Sequence, residues 1–113
     1  MIDKAIFASN YEIFDKEVVK EIMTIYVTEY PERMEKLEEA IIQGDFDQIY
    51  KRAHSLKGVT ANFFDKESEE FARVIEEKGR AKNGQGLLAD YKLLKASTDI
   101  LVVDLTKMST EYS

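Results

Sequence analysis

The chain has 113 residues, of which 44% are hydrophobic and 34% charged, with a formal net charge of −6 and no cysteine. That length and composition describe one folded domain, residues 1–113, with a single core. The acidic balance argues against a nucleic-acid surface, and the lack of cysteine rules out disulfides and thiolate chemistry and fits the cytoplasm.

Helical signals run almost the whole length, opening with a short lead-in that contains Ile6, Tyr11 and Phe14. Asp15 stands as an N-cap, and Val18, Val19, Ile22, Ile25 and Tyr26 follow at helical spacing. Pro31 removes a backbone donor, which predicts a break and the start of a second helix. Met34, Leu37, Ala40 and Ile41 form the inner stripe of that segment, and Gly44 reads as its terminating glycine. Asp45 and Gln48 make a capping-box pattern for the next helix, whose stripe is Phe46, Ile49, Ala53, Leu56, Thr60 and Phe63.

His54 lies one residue off that stripe, in line with Lys57, Gly58 and Ala61. Asp65 caps a further helix with Phe71, Val74, Ile75 and Lys78 along one side. A polar line of Glu69, Arg73, Glu76 and Arg80 is placed to face the His54 line. Lys78 to Gly86, with its three glycines and an asparagine, reads as the clearest loop. The last helix is the strongest: Leu87, Tyr91, Leu94, Thr98, Leu101, Leu105 and Met108 recur in steps of four and three. The expected fold is all-α, an up-and-down antiparallel four-helix bundle with a short N-terminal lead-in. The aromatics Phe7, Tyr11, Phe14, Tyr26 and Tyr30 suit either the core or a docking surface.

No segment suits a membrane: the longest purely apolar run, Ile100 to Val103, is too short to span one. Met1-Ile2-Asp3-Lys4 also lacks the basic head and apolar stretch of a signal peptide.

The run Ala53-His54-Ser55-Leu56-Lys57-Gly58 holds the chain's single histidine. On a helix, His54, Lys57 and Gly58 share one face. Each has an ordinary reading when taken alone: a surface or core histidine, a solvated lysine, a glycine for close helix packing. Together they form a chemical set. A neutral imidazole can attack phosphorus through one ring nitrogen while the other donates the hydrogen bond that fixes the tautomer. Phosphoryl transfer needs positioning and charge neutralisation, and Lys57 supplies a cation on the same face. An interior glycine costs a helix about 1 kcal/mol relative to alanine, so Gly58 has a reason, either packing or the approach of a partner.

Ala-His-Ser-Leu-Lys-Gly-Val-Thr-Ala-Asn, residues 53–62, closely resembles the signature of histidine-containing phosphotransfer (HPt) domains, and the resemblance extends over most of the chain. It implies a four-helix bundle with a phosphorylatable histidine exposed in mid-helix. By that resemblance His54 is the phosphoacceptor, Lys57 stabilises the phosphoryl group and Gly58 leaves room for a receiver's active site. Glu76 would orient the imidazole, with Arg80 as a neighbouring basic residue. The implied partners are response-regulator receiver domains or a hybrid sensor kinase. No cofactor is implied in this chain, and Mg²⁺ is expected in the receiver. The sequence departs from the family at Phe63-Phe64-Asp65, where an aromatic takes the place of a usual glycine.

Rival readings fare worse. A carboxylate-bridged metal bundle needs Glu-x-x-His on facing helices, and Lys51 stands three before the only histidine. Zinc is poorly served without cysteine, and no kinase phosphate loop is visible. The alternative that stays open is a docking module of the same fold that binds a receiver or sensor kinase without carrying phosphate. Met1 and the lack of a linker beyond Met108 point to a stand-alone carrier, although an excised domain of a larger kinase has the same features.

Overall fold

The computed structural model describes residues 1–111. It contains α1 (Lys4–Tyr11), α2 (Lys16–Gln43), α3 (Phe46–Thr60), a single 3₁₀ turn (Ala61–Phe63), α4 (Lys66–Arg80) and α5 (Leu87–Glu111). Among the described residues there is no strand. The four long helices close a ring in which α2 packs on α3, α3 on α4, α4 on α5 and α5 back on α2. Short connections make consecutive helices antiparallel, giving a body of 42 × 22 × 20 Å.

Local chemistry sets most of the helix ends. Asp3, Asp45 and Asp65 each accept a hydrogen bond from the backbone three residues on, which satisfies an otherwise orphaned donor of the first turn. Asp15 occupies the N-cap position of α2 without such a bond. Gly44 ends α2 in the left-handed region at φ 68° and donates its N–H to the carbonyls of Ala40 and Ile41. The apolar stripe of α5 is buried from Leu87 to Met108 as its spacing requires.

Four points of the expectation need correction or sharpening. Pro31 does not divide α2, which runs unbroken from Lys16 to Gln43. The ring is exposed, while Met23, Tyr26, Tyr30, Met34 and Leu37 are buried on either side of it. Full burial of such side chains contributes about 1.5–3 kcal/mol each, which outweighs a proline cost of about 3 kcal/mol. Tyr30, next to the proline, is also anchored to α5 through Thr98 (2.8 Å) and Asp99 (2.6 Å).

The lead-in, secondly, is itself a helix. Phe7 of α1 is fully buried and stacks on Phe63 with ring centroids 5.9 Å apart. Thirdly, the predicted loop starts too early. Lys78, Gly79 and Arg80 are the last turn of α4, and Gly79 is buried.

The inner side of α4 is also rotated from the expectation. Ser68, Ala72, Ile75, Glu76 and Gly79 are its buried residues, while Phe71, Val74 and Lys78 are only half-buried. At the departure from the family pattern, Phe64 takes the left-handed conformation itself, at φ 56°. A non-glycine residue is uncommon there. Asp65 behind it is buried and bonds both the Ser68 N–H (3.1 Å) and its hydroxyl (2.6 Å). Ser68 continues to Ser97 of α5 (2.6 Å).

Of the aromatics left open by the sequence, Phe7, Tyr26 and Tyr30 belong to the core, and Phe14 is 49% exposed.

Candidate functional site

The buried stripe of α3 (Ile49, Ala53, Leu56, Thr60) fixes the rotation of the helix against the bundle. His54 is one residue past Ala53, so its side chain emerges at the edge towards α4 and is 61% exposed. From α4, Glu76 comes to meet it with a side chain only 3% exposed.

The Nδ1 of His54 lies 3.2 Å from Glu76 Oε2. Lys57 Nζ lies 3.1 Å from Oε1 and 2.9 Å from Oε2 of the same carboxylate. Arg80 approaches Oε1 at 3.6 Å, an ion-pair distance beyond hydrogen-bond length. One buried carboxylate thus gathers the imidazole, Lys57 and Arg80.

The protonation states follow from this geometry. Burial pushes the Glu76 carboxyl up, but hydrogen bonds from Lys57 and His54, with their charges, outweigh burial and leave it below its ordinary value. It is therefore ionised at neutral pH, and an ionised carboxylate only accepts. Nδ1 of the imidazole therefore carries a proton and donates it to Oε2, and in the neutral ring this leaves the lone pair on Nε2. The site presents a nucleophilic nitrogen on an exposed side chain, backed by a fixed negative charge.

The other residues singled out by the sequence separate clearly. Gly58 is exposed, and a Cβ built on it would meet nothing within 4 Å. Packing inside the chain therefore does not require a glycine there. Lys57 is committed to Glu76 and is 31% exposed. Its ammonium shares the Glu76 carboxylate with the imidazole. In the polar line of α4 only Glu76 and Arg80 reach the site, since Arg73 is turned to Glu70 through bonds of 2.9 and 2.6 Å.

Two residues of the site escaped the sequence reading. The Tyr50 ring stacks on His54, with centroids 5.8 Å apart and planes 17° from parallel, and the Arg80 guanidinium lies 5.4 Å from the centre of the same Tyr50 ring. Its position four before His54 was the available signal. Gly79, read as a loop glycine, is where α4 touches α3: a Cβ there would sit 2.8 Å from the backbone nitrogen of Tyr50. Nothing local marks that contact.

Further along α3, Ile22, Ile25, Tyr26, Val59, Asn62 and Phe63 line a mainly apolar groove against α2. Ile25 and Val18, predicted on the helical stripe, are instead exposed, at 47% and 43%. Among the described residues, no three His, Cys, Asp or Glu side chains are grouped to hold a metal ion, and no helix is long and apolar enough to cross a membrane.

Comparison with known proteins gives concordant results. The sequence model of one family, described as Hpt domain, matches residues 21–103, a stretch that includes His54, Lys57, Gly58, Glu76 and Arg80. The crystal structure of histidine-containing phosphotransfer protein B (HptB) from Pseudomonas aeruginosa PAO1 has the same fold. It superposes with a TM-score of 0.90 at 21% sequence identity, covering 99% of this chain and 96% of that one. A search of the curated proteins finds no match.

Proposed function

The chain belongs to the Hpt domain family, and from that premise we propose that it is a cytoplasmic phosphocarrier, a single module over residues 1–113, in a multistep two-component phosphorelay. His54 takes a phosphoryl group from the phosphorylated aspartate of a receiver domain and passes it to a second receiver. Response regulators and a hybrid sensor kinase are the partner classes. The chain carries phosphate without generating it, and the divalent metal that assists the acyl phosphate belongs to the receiver.

The observation that carries this reading is the pairing of His54 Nδ1 with the buried Glu76 carboxylate. In the transfer, the Nε2 lone pair forms the N–P bond as the P–O bond to the aspartyl carboxylate breaks, and that carboxylate leaves with the electron pair. The ring gains positive charge and keeps its Nδ1 proton. Glu76 already faces that proton, so the stabilising charge is in place before the reaction begins. Reversal regenerates the neutral imidazole by the same contacts. Lys57 stands where an ammonium can turn from Glu76 to the phosphoryl oxygens, and Gly58 keeps the approach open. The apolar groove beside α2 offers a receiver a surface to bury.

The test is transfer from a radiolabelled phospho-receiver to the wild type and to His54→Gln. Acid-labile, alkali-stable label on the wild type alone supports the carrier. A folded wild type that takes no label from any of several receivers moves the reading to a docking module.

A further inference from the structure

We propose that Tyr50 is a positioning residue for phosphoryl transfer, its ring fixing the plane of the His54 imidazole; this rests on His54 being the phosphoacceptor. A single hydrogen bond from Nδ1 to Glu76 fixes one point of the ring and leaves its plane free to swing about that bond. A second contact is needed to aim the Nε2 lone pair. The Tyr50 ring provides it. A centroid distance of 5.8 Å and a 17° tilt are those of an offset aromatic stack.

The tyrosine is itself held in place. Gly79 lets the α4 backbone close on the Tyr50 backbone, where a Cβ would lie 2.8 Å from its nitrogen. The next residue, Arg80, then sets its guanidinium 5.4 Å from the ring centre, within cation–π range. Its distance to Glu76 is 3.6 Å, too long for a hydrogen bond. Besides its ion pair with Glu76, Arg80 thus reaches the imidazole through Tyr50, in a chain that runs Gly79, Arg80, Tyr50, His54. Imidazole attack is sensitive to aim, and displacements of ångström size cost reactions of this kind up to about a hundredfold.

Phosphoramidate tests this without a receiver. Its phosphoryl group passes to Nε2 as its P–N bond breaks, and the nitrogen leaves as ammonia after taking a proton from water. Tyr50→Phe loses the hydroxyl's hydrogen bond with Arg80 but keeps the stack, and should react at close to the wild-type rate. Tyr50→Leu and Tyr50→Gln, which remove the ring but keep helix-compatible side chains, should each react roughly tenfold more slowly. Because the chain has one histidine, its ¹⁵N imidazole resonances report the tautomer without ambiguity. All four proteins should show the Nδ1–H form, because Glu76 still accepts from Nδ1, so a slower rate with the tautomer kept separates loss of ring aim from loss of the Glu76 bond. If either ring-less variant is folded and reacts at the wild-type rate, or if Tyr50→Phe is as slow as the ring-less variants, the proposal is overturned while His54 stands as acceptor. If the wild type itself takes no phosphoryl group on the histidine, the reading of His54 fails first.

Discussion

Two glycines flank His54, and the bundle has a use for only one of them. Gly79 lies in the seam between α4 and α3, where any side chain would run into the Tyr50 backbone and the Ile49 side chain. Gly58 lies on the outer face of α3, where a side chain would meet nothing. Both residues weaken their helices by about the same amount. At Gly79 close packing against the neighbouring helix compensates for that loss. At Gly58 no contact among the described residues compensates, as the proposed approach of a partner requires. The same division separates the two carboxylates of α4 and its cap. Asp65 turns its buried carboxylate to the N–H and hydroxyl of Ser68 in the helix cap and to the exposed N-terminal amine, whereas Glu76 holds an exposed imidazole.

The contrast can be broken most forcibly at the seam. Gly79→Ala should lower stability by about 1–3 kcal/mol through overpacking, even after the gain in helix propensity, and should loosen Tyr50 from His54. The shift of the urea midpoint measures the first effect and the histidine spectrum the second. Glu76→Gln should cost about 1–2 kcal/mol at neutral pH, because Lys57 and His54 lose a charged acceptor. Its pH dependence follows from the lowered Glu76 carboxyl. The stabilisation is complete above the unfolded carboxyl's pKa and is lost as pH falls through the lower, folded value. The gap between wild type and variant should therefore narrow in acid, as urea unfolding at neutral and acidic pH will show. Gly58→Ala should have the smallest effect and the opposite sign, stabilising the protein by roughly 0.5–1 kcal/mol. A loss of stability there would mean that Gly58 serves the bundle after all.

What the sequence made legible was whatever depends on near neighbours. Asp45 and Asp65 cap, Gly44 terminates, and the α5 stripe is buried as its spacing implied. His54, Lys57 and Gly58 could be set on one face because they share a helix. Glu76 was placed by resemblance to the family, and its bonds to both His54 and Lys57 required the structure. Pro31 was misread because its local penalty is visible in sequence, while the burial of Tyr30 and Met34 that overrides it is not. Gly79 was misread for a similar reason: among the polar and glycine-rich residues that follow, it resembles a turn, and only the approach of α3 gives it a different role. Phe64 shows the opposite limit: a left-handed aromatic contradicts local preference, and the only hint of it was the family's usual glycine in this segment.

The most direct test of the outward-facing site is Gly58→Glu, phosphorylated in parallel by phosphoramidate and by a phospho-receiver. The account predicts that the small donor labels His54 at close to the wild-type rate, while transfer from the receiver falls by about a hundredfold through steric and like-charge exclusion. Equal labelling by both donors would contradict the claim that the space above Gly58 is there for a protein partner.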